Sequence, residues 1–219
     1  MDRMTVLGPS PFLSSYNGQM PQKKQSSNEL STEILAEEFE YIASTANQAN
    51  EDRARVSSFY LVAVGSLVAA LFSTQLLNQN TSNGTIHLLF SGLLFVLTLL
   101  GTLTVLQLAR LRAAWHESVR AMNQIKEYAI SQDKNLAKAF RWRDQYMPPL
   151  YKPNSVSYQQ TLEVAMLSGL TFGAAVYFLQ VGLHYDCPIC NWAYTIAAGM
   201  LAFFFQLYLY KRQLTRKRQ

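Results

Sequence analysis

Between Arg55 and Arg110 the chain contains no Lys, Arg, Asp or Glu. Across residues 56–109 the apolar pattern breaks only at a short polar turn, Asn78 to Thr85 (NQNTSNGT). The flanking stretches, 56–77 and 86–108, each exceed the roughly 20 apolar residues that cross a bilayer core of about 30 Å. A soluble helix of that length carries a charged face, and these carry none. They therefore read as membrane spans.

The pattern recurs towards the C-terminus. Residues 164–185 and 190–210 are uncharged and mostly apolar, and Asp186 stands alone between them in the turn HYDCPICN. The expected fold is all-α: a polytopic integral membrane protein with four transmembrane helices in two hairpins, 56–108 and 161–210. Charge sets the expected orientation. All 19 Lys and Arg residues precede the first span, lie between the second and third, or follow the fourth. Basic residues near span ends stay on the cytoplasmic side, which puts a cell-membrane protein's N- and C-termini in the cytoplasm. The net charge of +5 and the pI near 9.2 then reflect topology and contact with anionic lipid. They do not point to specific nucleic-acid binding.

The cytoplasmic parts divide by composition. Residues 1–30 are rich in Ser, Pro, Asn and Gln and read as a disordered leader, with Phe12, Leu13 and Tyr16 as a candidate docking peptide. Ser31 or Thr32 can cap a helix over 31–55. Along it Leu35, Phe39, Ile42, Ala46 and Ala49 form one apolar stripe. Residues 109–160 continue span two as a helical extension whose stripe includes Leu111, Trp115, Met122, Ile125 and Ala129, and they end in an interfacial elbow. The two stripes predict a coiled-coil-like stalk, either within one chain or between copies. The tail, 211–219, is basic.

Four groups of residues are candidates for a specific role. In span three Gly169 and Gly173 form GxxxG, and span one has a similar line in Gly65, Ala69 and Ser73. Small residues four apart let helices approach closely in lipid, inside one bundle or between copies in a homo-oligomer. In span two Ser91, Thr98 and Thr102 share a face, which either serves structure or lines a water-filled path between several chains. In the elbow Arg141, Trp142 and Arg143 suit a headgroup contact or a clamp for an anion such as a nucleotide-like ligand, the Arg pairing with phosphate and the Trp stacking on a base. Cys187 and Cys190 are the chain's two cysteines. The outer compartment favours a disulfide between them, and two thiols alone do not complete a closed zinc site.

Other classes find no footing. No span carries a central ionisable residue, which ion-coupled transporters keep. No phosphate loop, HExxH or GxSxG motif occurs, so neither an enzyme nor a cofactor is expected.

Two resemblances remain. With CPIC at the outer start of its last helix, the four-span layout resembles vitamin K epoxide reductase and related thiol–quinone oxidoreductases. That would imply redox work by Cys187 and Cys190. Those enzymes add a second cysteine pair in an outer loop, and the first turn here has none. In size, span number and stalk, the chain resembles small multi-span effector proteins of prokaryotic antiviral signalling systems. This resemblance implies a non-enzymatic, oligomeric, channel-like or membrane-perturbing effector gated from the cytoplasm by a protein or small ligand. A membrane scaffold that recruits a cytoplasmic partner is the alternative.

Overall fold

The computed structural model describes residues 27–77, 84–184 and 188–216. The readings of residues 1–26 as disordered leader, of the turn at 78–83, of Cys187 and of the tail's end fall outside the described residues.

Four helices make up nearly all of the rest. They are α1 (Ser27–Leu77), α2 (Gly84–Gln132), α3 (Val156–Gly182) and α4 (Pro188–Arg216). Each is long and apolar enough to cross a membrane. Two short 3-10 turns, Lys134–Lys138 and Asp144–Tyr146, join α2 to α3. Among the described residues there is no strand.

The helices begin and end where local chemistry directs. Helix α1 starts at Ser27 rather than at residue 31, because adding residues to an existing helix is easy once it has nucleated. Ser155 caps α3, accepting from the Tyr158 N–H at 3.3 Å, so this helix starts well before residue 164. Between α2 and α3, Pro148 and Pro149 lack the N–H a helix needs. Asp133 caps the first 3-10 turn through the Asn135 N–H at 2.9 Å.

Packing makes α2 and α3 the centre. Helix α2 touches all three of the others, and α3 does too, whereas the backbones of α1 and α4 do not approach each other among the described residues. The cross-section is a rhomb with α2 and α3 on its short diagonal. The apolar core contains Tyr60, Val64, Leu97, Val105, Leu108, Val164, Tyr210 and Leu214. Beyond the apolar zone α1 and α2 run on as a two-helix stalk. There Ala46 and Ala49 of the α1 stripe are buried, as are Ala113 and Asn123 on α2.

Polarity runs inside-out. Ser91, Thr98, Ser168, Thr171 and Gln206 are buried, while Phe59, Val62, Leu89, Leu103, Leu170 and Leu201 are exposed. Water would penalise an exterior of that kind over such a length. Hydrocarbon does not, and in hydrocarbon the polar groups must find partners within the protein.

Candidate functional site

The buried polar residues meet in one seam through the middle of the bundle. Gln206 on α4 is 1% exposed, and its amide nitrogen donates to Ser168 Oγ at 2.6 Å and to Thr102 Oγ1 at 3.1 Å. Ser168 Oγ donates in turn to the Thr98 carbonyl at 3.2 Å. Thr98 and Thr171 place their hydroxyls 3.1 Å apart, and each also lies 2.9 Å from a carbonyl of its own helix. One turn further along, Ser91 Oγ donates to the Ala175 carbonyl at 2.8 Å. Three helices are thus fastened by side-chain hydrogen bonds, each worth about 0.6 kcal/mol on average between helices in lipid.

The seam needs a glycine. A Cβ on Gly101 would lie 2.5 Å from Ser168 Oγ and 2.6 Å from the Tyr60 hydroxyl. Only a residue without a side chain lets α1, α2 and α3 converge there. Two atoms in the seam stay unmatched. The Gln206 carbonyl oxygen and the Tyr60 hydroxyl are buried and find no hydrogen-bond partner among the described residues. Tyr60 lies beside Ser168 and Thr171, but without bonding geometry.

Of the two roles expected of Ser91, Thr98 and Thr102, structure or pore lining, the single chain displays the structural one. Ser91 and Thr98 are buried against α3, and Thr102 is half-buried, donating to the Thr98 carbonyl at 3.0 Å while accepting from Gln206. Within one chain the stripe is turned towards neighbouring helices. A helix wheel shows that hydroxyls share a face; it does not show that a neighbouring helix already covers it.

The two small-residue lines part company. Gly169 and Gly173 pack against α4, where their Cβ positions fall 2.9 Å from the Gly199 carbonyl and 3.0 Å from the Thr195 carbonyl. Beside this crossing lies an apolar cleft of about 450 Å³ lined by Trp192, Met200 and Phe203 among others. Gly65, Ala69 and Ser73 instead face outward on α1, and nothing described lies within 4 Å of a Gly65 Cβ.

In the elbow, where a headgroup contact or an anion clamp was expected, Arg143 is paired within the chain. It donates twice to Glu127, from Nε and Nη2, both at 2.8 Å. That fork uses one of the two edges by which a guanidinium can pair with an anion. Hydrogen bonding to Arg143 holds the Glu127 carboxyl below its ordinary range, and the same bond raises Arg143. Arg141 and Trp142 stay exposed beside an open hollow of about 860 Å³ shared with Lys138 and Phe140. A smaller recess of about 370 Å³ opens beside the stalk between His116, Arg120 and Pro148. His116 Nε2 sits 3.3 Å from the Pro148 carbonyl, and burial lowers the affinity of its ring for a proton.

Cys190 is disulfide-bonded and half-buried. Among the described residues no cluster of His, Cys, Asp and Glu could hold a metal ion. Tyr60, Gly101, Ser168, Thr171 and Gln206 are the seam residues that reading the sequence missed. A lone amide in an apolar run was the available signal for Gln206.

No family model, curated protein or solved structure matches the chain.

Proposed function

We propose that the chain is a non-enzymatic membrane protein whose four-helix bundle anchors a cytoplasmic stalk, and that the stalk recruits a partner: a membrane scaffold. The carrying observation is the outer face of the α1 stalk. Leu30, Ile34 and Tyr41 are 50%, 56% and 69% exposed. They recur at helical spacing on a segment that also carries Glu33, Glu37, Glu38 and Glu40, with Glu37 on the same face, so it belongs in water rather than lipid. The inner stripe of the same helix is already used against α2, which leaves the outer one to hold something else.

The bundle suits an anchor. Most of its seam hydroxyls are turned inward and bonded, and its exterior is apolar around all four helices. The outward line of Gly65, Ala69 and Ser73 supports self-association in the bilayer. The basic residues at the stalk end favour the cytoplasmic side for both termini.

A photo-crosslinker placed at position 41 tests the scaffold in cells. The expected result is a discrete protein adduct that disappears when Leu30 and Ile34 become Glu, with membrane localisation unchanged. Absence of any protein adduct in the native background refutes it.

A second reading is an oligomeric, channel-like effector gated from the cytoplasm. It is favoured by the continuity of α2, which runs without a break from the far end of the bundle to the tip of the stalk. Ion flux through liposomes carrying the purified oligomer separates the two readings. A scaffold conducts nothing, with or without its partner.

A further inference from the structure

Where bundle meets stalk, two guanidinium groups are buried near each other without a counter-ion among the described residues. Arg53 on α1 is 8% exposed and Arg112 on α2 is 7% exposed. Arg53 donates to Asn50 through Nη2, but its Nε and Nη1 are sealed from solvent and find no acceptor among the described residues. Arg112 has a long bond from Nε to the Leu150 carbonyl, 3.4 Å, and lies 4.5 Å over the Trp115 ring. Burial depresses both groups. The charge of Arg112 depresses Arg53 further, while the Tyr210 phenol acts on both in the opposite sense.

Two carboxylates of these helices are engaged elsewhere. Asp52 pairs with Arg55, and Glu127 with Arg143. No carboxylate is among the groups acting on Arg53 or Arg112. Two like charges withdrawn from water and left unpaired are strongly unfavourable. A lysine would escape by losing its proton; arginine does not deprotonate in proteins. The arrangement therefore calls for an anion from outside the described residues.

Position narrows the anion. Arg53 and Arg112 lie just beyond the apolar stretches 56–77 and 86–108, at headgroup depth for a bundle in a bilayer. The rings of Tyr151, Tyr158 and Tyr210 cluster with centroids 6.2–6.5 Å apart, and Lys211 lies 5.8 Å over Tyr151. Such a mixture of aromatic and basic residues belongs to the interface. The flank between α1 and α4 has no backbone contact among the described residues, so side chains alone close it.

We propose that Arg53 and Arg112 form a binding site for a phosphate group, carried by a phospholipid headgroup or free in solution. Arginine's planar guanidinium matches phosphate oxygens with several N–H groups at once, and the unmatched Nε and Nη1 of Arg53, on its two different edges, each leave an N–H for such an oxygen.

The test uses the full chain, delipidated in a neutral maltoside detergent. Thermal unfolding is followed while phosphatidylglycerol or inorganic phosphate is added, with ionic strength matched by chloride. No partner is present, so the result is independent of the scaffold reading. The expected result is a rise of several degrees in the wild-type midpoint. Arg53→Gln or Arg112→Gln shifts the half-effective concentration at least tenfold upward, and Arg55→Gln, on an exposed side chain, leaves it unchanged. A response to lipid alone assigns the headgroup; a response to inorganic phosphate assigns free phosphate. No response of the wild type to either anion overturns the proposal, and so does an equal response in the Gln variants. Should those variants fail to fold, Arg53→Lys decides. It keeps the charge and loses the fork, so an undiminished response in that variant also overturns the site.

Discussion

Replacing Gly169 by Ala tests whether α3 and α4 are held by backbone contact. The added Cβ would sit 2.9 Å from the Gly199 carbonyl oxygen and 3.1 Å from Phe203 Cβ. Ordinary contact begins at 3.4 Å, so the helices must part by about 0.5 Å or tilt. Neither neighbour is the free end of a flexible chain, and overpacking of this kind costs about 1–3 kcal/mol. Alanine's better helix propensity offsets at most about 1 kcal/mol of that. A net loss of about 1–2 kcal/mol is expected. Gly65→Ala and Gly92→Ala are the controls, since nothing described lies within 4 Å of either new Cβ, and each should stay within about 0.5 kcal/mol of wild type. Reversible unfolding in mixed dodecyl sulfate micelles measures all three, with Trp192 beside the Gly169 crossing as a fluorescent reporter. Equal stability of Gly169→Ala and Gly65→Ala would refute the claim that one small-residue line is occupied and the other open.

Three further outcomes follow from the same geometry. Ser168→Ala removes the hydroxyl that both accepts from Gln206 and donates to Thr98, and should destabilise by about 1–2 kcal/mol in the same unfolding assay. His116 has a proton affinity depressed by burial, so the unfolded chain binds the extra proton more readily; stability is full above the ordinary value of 6.5 and falls as pH drops below it, and His116→Gln should flatten that slope in melts from pH 8 to 5. Glu127→Gln breaks the fork to Arg143 on a solvated surface, so amide exchange across 134–146 should quicken while the bundle's melting point holds.

The number of long apolar helices was legible because it follows from solvent: long runs without charge have few alternatives once backbone bonds must be made internally. What faces what was not. Gly65, Ala69 and Ser73 repeat the spacing of Gly169 and Gly173, yet one line is open and the other meets Gly199 across a helix crossing. Spacing defines a face on one helix and is silent about the helix opposite. The pairing of Arg143 with Glu127 escaped for a related reason: the chain turns back on itself through two 3-10 segments, and nothing at either position announces the other. Gln206 escaped because a single amide barely alters the average of an apolar run. Arg53 and Arg112 were visible as flanks of their spans, but only packing reveals that they are buried.

The seam also weighs the scaffold against the gated channel. Its interhelical bonds are Ser91 to Ala175, Thr98 with Thr171, Ser168 to Thr98, and Gln206 to both Thr102 and Ser168. Four of these five bonds involve α2, and at about 0.6 kcal/mol each, turning its hydroxyls towards a shared path forfeits about 2.4 kcal/mol before any packing is lost. A cytoplasmic trigger would have to favour the open form by about 50-fold merely to break even. Typical coupling between distant sites is about 1–3 kcal/mol, so these bonds alone consume most of that range. Separating α3 from α4 at Gly169 and Gly199 adds to the demand, because close backbone contact must also be given up. An opening that leaves the seam intact and uses the outward face of α1 escapes this penalty. A conducting form of this protein should therefore place Gly65, Ala69 and Ser73 at the contact between copies, with Thr98 still paired to Thr171 and Gln206 to Ser168 inside each one.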